Sequence, residues 1–280
     1  MTIMKRRKFE FEYTQKDFDF LRRLSNTHSG IIAENDKFDM FYSRLVRRIR
    51  VLKLGSFKEY CDYLVENKDT EFTLFINAIT TNLTSFFREK HHFEYLKDVV
   101  IPELLINNKE TKTVKVWSAG CSTGEEPYSI GMILLENLPR NWKVSILGTD
   151  LDTEVLIKAK EGVYHEDLVS ELSDKTLKRW FKKGAGNNAD KVKIKAELRD
   201  IMHFKMLNLM EPWPIKNNFD FIFCRNVIIY FDKDTKEHLV NQYSQFLEVG
   251  SHLFIGHSES LHMIKTDFNL IGKTIYRKVS

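Results

Sequence analysis

Residues 114–131 read VKVWSAGCSTGEEPYSIG: an apolar run, a string of small residues, two carboxylates, a proline and a second apolar run. A strand that turns through Gly120–Gly124 straight into a helix admits few architectures. It predicts the first βα unit of a doubly wound sheet, where a ligand sits over a helix N-terminus at the carboxyl end of the strand. Gly120 and Gly124 let backbone approach that ligand closely, and Pro127 suits the first helical turn, where a missing N–H costs nothing.

The pattern that follows alternates in the same sense. Strand 114–118 leads to helix 127–137, strand 143–149 ends in Asp150, and a helix starts near Thr153. FDFIFCRNVIIYF (219–231) reads as a buried strand with its exit loop, followed by helix 233–247, strand 252–257 and a closing hairpin over 268–279. Alternating elements of this kind predict an α/β fold with a Rossmann-like, mostly parallel sheet.

Two regions depart from the alternation. Upstream, Phe41, Leu45, Ile49 and Leu52 recur at helical spacing, and shorter helices are marked by Phe57, Tyr60, Leu64 and by Leu74, Phe75, Ile79. An all-helical N-terminal domain and a linker within TNLTSFFRE (81–89) are expected over 1–88, with the sheet-bearing domain over 89–280 and Pro102 near the end of that domain's first helix. Inside the second domain, KVKIKAEL (191–198) alternates Val192, Ile194, Ala196 and Leu198 at period two, so a small antiparallel β subdomain is expected at about 162–206. Its edge could serve as a simple structural hairpin or accept a partner peptide as an added strand.

Composition removes several classes. At 280 residues and 42% hydrophobic, the chain can bury a substantial core, and a net charge of +4 is too small to point to nucleic acid. Cys61, Cys121 and Cys224 are far apart and read as buried free thiols in a reducing compartment. Lys5, Arg6, Arg7 and Lys8 precede no apolar stretch of the kind a signal peptide needs, and no run is long enough to span a membrane. His91 and His92 are adjacent, so they are not expected to share one helical face, and no metal site is expected.

Glu125 and Glu126 decide the charge of the ligand. Two carboxylates would repel a pyrophosphate but welcome a cofactor with cationic and hydroxyl groups, and S-adenosylmethionine (SAM) carries a sulfonium, an ammonium and a ribose. Asp150 lies where doubly wound folds place a carboxylate for ribose hydroxyls, although the cap of the next helix is the other reading. Asn82, Thr84 and Arg88 stand among Leu83, Phe86 and Phe87, and a partly buried arginine in that setting calls for a carboxylate partner. Arg225, Asn226 and Tyr230 end an apolar run and should face the cofactor crevice, with Asn208 and Leu209 flanking it. Arg44, Arg47, Arg48 and Arg50 form either a positive docking face or a solvated one.

Six segments together are similar to one family. TNLTSFFRE (81–89), AGCSTGEEPYS (119–129), GTDLD (148–152), LNL (207–209), FCRNVIIYF (223–231) and GHSES (256–260) resemble, in order and spacing, the CheR-type chemoreceptor protein-glutamate O-methyltransferases. The resemblance runs from about residue 15 to 279, with no departure at a motif position. It implies a SAM-dependent methyltransferase domain behind an N-terminal helical domain, with S-adenosylhomocysteine as product and no metal. It implies cofactor contacts at Asn82, Thr84, Arg88, Glu126, Asp150, Asn208, Leu209, Arg225 and Asn226, and a role for Arg88 and Tyr230 in orienting the accepting carboxylate. It further implies methyl-accepting chemotaxis receptors as partners, met as an acidic helical bundle and, in some members, through a C-terminal tail bound by the β subdomain. The protein would then be cytoplasmic and reach the membrane only through receptor arrays. A SAM enzyme with another substrate, and a non-catalytic binding module, are the alternatives.

Overall fold

A computed structural model describes residues 9–280, so the basic stretch Lys5–Lys8 lies outside the described residues. The chain divides into two compact units, Met1–Thr81 and Asn82–Ser280. TNLTSFFRE, expected as the linker between the two, therefore falls almost wholly within the second unit.

The first unit is helical: α1 (Gln15–Ser29), α2 (Phe38–Leu52), α3 (Phe57–Glu66) and α4 (Lys68–Ile79). Thr14 opens α1 in a reciprocal capping box with Asp17, and Gly30 closes it at φ 71°. The predicted stripe Phe41, Leu45, Ile49 is buried together with Phe18, Leu21, Phe57, Tyr60 and Phe75. The arginines beside that stripe are mostly consumed within the unit. Arg48 forks onto Glu71, Nε to Oε1 at 2.9 Å and Nη2 to Oε2 at 2.7 Å, and the Tyr60 hydroxyl donates to the same carboxylate at 3.0 Å. Arg44 Nη1 donates to the Ile79 and Thr80 carbonyls at the end of α4, 2.5 and 2.6 Å away, and Arg50 pairs with Glu10.

The second unit begins with α5 (Lys90–Tyr95), which runs through a π-helical turn, Leu96–Val100, into α6 (Ile101–Asn107). Pro102 therefore does not end the helix. It stands in the first turn of α6, where the wider turn before it accommodates the missing N–H. The sheet is built from β1 (Thr113–Ala119), β2 (Lys143–Asp150), β6 (Met202–Met206), β7 (Phe219–Cys224), β8 (Leu247–Ile255), β9 (Phe268–Gly272) and β10 (Ile275–Lys278). Their order is β6-β2-β1-β7-β8-β10-β9. The first five are parallel, and β10 and β9 close the sheet as an antiparallel hairpin.

Side chains alternate between two buried faces. Val114, Val116, Phe221 and Phe223 pack with α5, α6 and α7 (Glu125–Asn137). Trp117, Ala119, Ile222 and Cys224 pack on the other face with α11 (Lys233–Ser244). The chain leaves β1 through β2 to β6 and then returns to β7 on the opposite side of β1. That reversal is the switch point at whose strand ends, those of β1 and β7, doubly wound folds bind their ligands. All three cysteines are buried and free.

After α8 (Thr153–Glu161), the inserted sheet comprises β3 (Val163–His165), β4 (Phe181–Lys183) and β5 (Lys191–Ile194), in order β3-β5-β4, with α9 (Asp174–Trp180) before β4. It is narrower than 162–206, because Met202–Met206 pairs with β2 in the main sheet. The expected strand 191–198 also stops at Ile194. Ala196 is exposed while Leu198 is buried, a spacing of four from Ile194 that follows the short helix α10 (Ala196–Arg199). Among the described residues, no helix is long and apolar enough to cross a membrane.

Candidate active site

The ends of β1, β2, β6, β7 and β8 bring the predicted segments to one edge of the sheet. Gly120, just past β1, adopts φ 78°, and a Cβ there would lie 2.3 Å from Val227 Cγ2 on the β7 exit loop, so only glycine lets these two loops meet. Ser122 is also left-handed, at φ 48°. Its amide donates to Asp150 Oδ2 at 2.8 Å, and its hydroxyl donates to the Asn82 carbonyl at 3.1 Å.

Asp150 is not the cap of α8. That role falls to Asp152, whose Oδ1 accepts from Glu154 and Val155, while its Oδ2 accepts from Asn82 Nδ2 at 2.7 Å. Asp150 Oδ1 instead accepts from the Asp152 amide at 3.0 Å, so its carboxylate joins the first βα turn to the second. Burial pushes Asp150 up to about 6, against the lowering effect of those backbone donors.

Arg225, just past β7, is the cation that bridges the inner carboxylates. Its guanidinium reaches Glu126 Oε2 and Glu89 Oε2, each at 3.2 Å, and donates to the Arg88 carbonyl at 2.5 Å, with the Phe93 and Phe223 rings below. Ser118 donates to the other Glu126 oxygen at 2.7 Å. Burial works against charge on Glu89, but Arg225 and a hydrogen bond from His257 outweigh it and hold the carboxyl down at about 2. Burial dominates at Glu126 and Glu125, and both are raised. One guanidinium therefore bridges two carboxylates, Glu89 held in its charged form and Glu126 disfavoured from it by burial.

Arg88 does not find the carboxylate partner expected of a partly buried arginine. Its Nη1 donates to the Leu83 carbonyl at 2.8 Å, and no carboxylate lies within ion-pair distance among the described residues, because Arg225 already bridges Glu89 and Glu126. Asn208 is buried just past β6, where its side chain bonds Glu211 and the Met210 amide, while Leu209 packs on the core and Thr84 is partly buried. Asn226 stands at φ 59°, and Tyr230 ends the short 3-10 turn Ile228–Tyr230.

Adjacency does not keep the two histidines apart. His91 Nε2 and His92 Nε2 both reach the Lys273 carbonyl, at 3.2 and 3.1 Å, because that carbonyl lies between the two rings. With Glu89 they bring one potential ligand atom each within 4.8 Å of the others. Glu89, Asp152 and Glu259 are further carboxylates of this region that sequence alone does not single out, although each sits in one of the six motifs.

The family model described as the CheR methyltransferase SAM-binding domain matches residues 82–277, and the all-alpha domain of the same family matches 16–80. The chain belongs to the CheR methyltransferase family. It is 41% identical to chemotaxis protein methyltransferase 2 of Pseudomonas aeruginosa, over 95% of this chain and 94% of that protein. It is 40% identical to the chemotaxis protein methyltransferase of Escherichia coli, over 92% of this chain and 89% of that one. The Borreliella burgdorferi enzyme is 39% identical, over 95% of each.

The CheR chain is thus a SAM-dependent methyltransferase, and its crevice suits that cofactor. Burial works against ionisation of Glu125, Glu126 and Asp150, and a sulfonium or an ammonium beside them would favour their charged forms.

Proposed function

We propose that this CheR chain methylates glutamate side chains of chemotaxis receptors, giving glutamate methyl esters. The observation that carries this reading is the 41% identity to a chemotaxis protein methyltransferase over nearly the whole of both chains. Asn82, Thr84, Glu126, Asp150, Asn208, Leu209, Arg225 and Asn226 line the cofactor side of the crevice, with Asp150 accepting from ribose hydroxyls. Bound SAM supplies an electrophilic methyl on a cationic sulfur and leaves as S-adenosylhomocysteine.

A glutamate with pKa about 4.3 is already ionised at neutral pH, so the attacking oxygen requires no general base. The task left to the protein is orientation. Arg88 and Tyr230 hold one carboxylate oxygen of the substrate and direct the other at the methyl group. Arg88 is suited to this because its own ties go to a backbone carbonyl, which leaves its charge available to an incoming carboxylate.

The receptor reaches the enzyme as an acidic helical bundle and, through strand addition at an edge of the β3-β5-β4 sheet, by a C-terminal tail. The enzyme works in the cytoplasm and is recruited to receptor arrays. Transfer of labelled methyl from SAM to receptor-bearing membranes, followed by alkali, tests the central claim. Alkali-labile label on the receptor band is expected, since carboxyl methyl esters hydrolyse and N-methyl groups do not. Alkali-stable label, or none, overturns it. An isolated receptor C-terminal peptide should bind, and no binding at high concentration removes the tail.

A further inference from the structure

GHSES (256–260) follows β8 and has no part in the cofactor and substrate contacts proposed above. Glu259 within it is nonetheless among the most enclosed carboxylates, 5% exposed. Its oxygens accept from backbone alone. Oε2 takes the amides of Asn226 at 2.9 Å and Gly256 at 2.5 Å, Oε1 takes that of Ile229 at 3.1 Å, and the Val227 backbone also contributes. Among the described residues no cation pairs with it. A buried, unpaired carboxylate is costly unless N–H donors saturate it, and here nearly all the donors come from one loop.

That loop carries Arg225, Asn226 and Tyr230. Asn226 stands left-handed at φ 59°, a conformation that asparagine adopts more readily than other non-glycine residues and that the bond from its amide to Glu259 fixes here. The Tyr230 amide donates to the Val227 carbonyl at 3.2 Å, so fixing 226–229 fixes the base of Tyr230. Gly256 closes the clamp from behind, where a Cβ would lie 2.5 Å from Asn226 Nδ2 and 2.9 Å from its amide nitrogen.

We propose that Glu259 is a positioning residue for methyl transfer: its carboxylate gathers the amides of the loop after β7 and so aims Tyr230 and Asn226 into the crevice. A neutral isostere cannot replace it. Both oxygens accept, so Glu259→Gln turns an NH2 donor against a backbone donor in either orientation. Arg225 is held separately, by Glu89 and Glu126, so the cofactor's other contacts should survive the change.

The test compares Glu259→Gln with wild type in the full chain. It measures melting temperature, SAM affinity by calorimetry, kcat at saturating SAM and receptor, and amide exchange at Asn226 and Ile229. Folded Glu259→Gln should exchange faster at both amides and lose kcat by about tenfold or more, while SAM affinity weakens by no more than about threefold. Should that variant fail to fold, Gly256→Ala puts a Cβ within 2.9 Å of both the Asn226 amide nitrogen and Glu259 Oε2, so it strains the same contact without removing the carboxylate, and the same split is expected. Unchanged exchange, or a kcat per folded molecule within about twofold of wild type, overturns the proposal. The kcat arm rests on the receptor reading and the exchange arm does not. Failure of wild-type transfer would therefore count against the receptor reading, and amide exchange would still decide on Glu259.

Discussion

Arg225 and Glu126 meet at 3.2 Å, with side chains 2% and 12% exposed, and join the end of β7 to the first turn of α7 across the switch point of the sheet. The pair is unequal, because the same guanidinium also serves Glu89. Removing the cation would leave two enclosed carboxylates facing each other. Arg225→Ala should therefore cost about 3–5 kcal/mol of unfolding free energy in urea titration and abolish SAM binding by calorimetry. Arg225→Lys keeps the charge but not the fork, and should fall between the two. Wild-type stability in Arg225→Ala would show that the cluster reorganises without cost.

With Asp150 in its proposed place on the ribose, cofactor binding should depend on pH. Its carboxyl is raised to about 6, so it is mostly ionised at pH 7 and protonates as the pH falls through that value. The ionised form suits ribose hydroxyls and a nearby cation, so the SAM dissociation constant should be flat above pH 7 and rise below pH 6 by up to about tenfold per unit. Asp150→Asn should bind weakly throughout and lose the inflection.

The stability of the ligand-free protein runs the other way for this group. A raised carboxyl favours the folded state at low pH, and that contribution is lost as pH rises through about 6. His92, lowered to about 3 chiefly by burial and by Arg225, has the opposite sign: its contribution is present above the ordinary histidine range and lost as pH falls toward 3. Titration calorimetry of wild type and Asp150→Asn over pH 5–8 separates cofactor binding from these stability effects, and an inflection that persists in Asp150→Asn would assign it to another group.

Much of this site was legible because its residues end strands. Val114 and Val116 against Trp117 and Ala119 announce a strand buried on both faces, and Gly120 and Asp150 follow from where such strands stop. What could not be read was pairing across the fold. Glu89, Glu126 and Arg225 come from three separate segments, and nothing local tells Arg88 from Arg225 as the partner of a carboxylate. The GHSES motif was visible as a string, but Glu259 acts on backbone amides, which carry no side-chain signature. Similarly, period two could not reveal that Leu198 is buried through a helical turn rather than a strand.

Arg88 and Tyr230 should separate turnover from stability. Arg88→Ala removes one bond to the Leu83 carbonyl, so unfolding free energy should change by no more than about 1 kcal/mol. Loss of the carboxylate clamp should lower kcat/KM by about a hundredfold. Tyr230→Phe should lower kcat by about tenfold and leave SAM affinity near wild type. Steady-state transfer assays at saturating cofactor check both, and wild-type turnover in either variant would remove that residue from the mechanism.

The arginines of α2 divide between structure and recognition. Arg48 is committed to Glu71, whose side chain is 3% exposed, so Arg48→Glu sets two carboxylates together in the helical unit and should cost at least about 3 kcal/mol. Arg44 and Arg50 are also engaged, the first on the end of α4 and the second on Glu10. Arg47 is exposed and makes no hydrogen bond or ion pair among the described residues, which makes it the best candidate of the four for meeting an acidic receptor surface. Arg47→Glu should leave unfolding free energy within about 0.5 kcal/mol of wild type. It should raise the receptor KM several-fold at low salt, with the difference shrinking as salt screens the contact. A KM that stays at the wild-type value at every ionic strength would mean that α2 presents a solvated face and that receptor selection lies elsewhere on the enzyme.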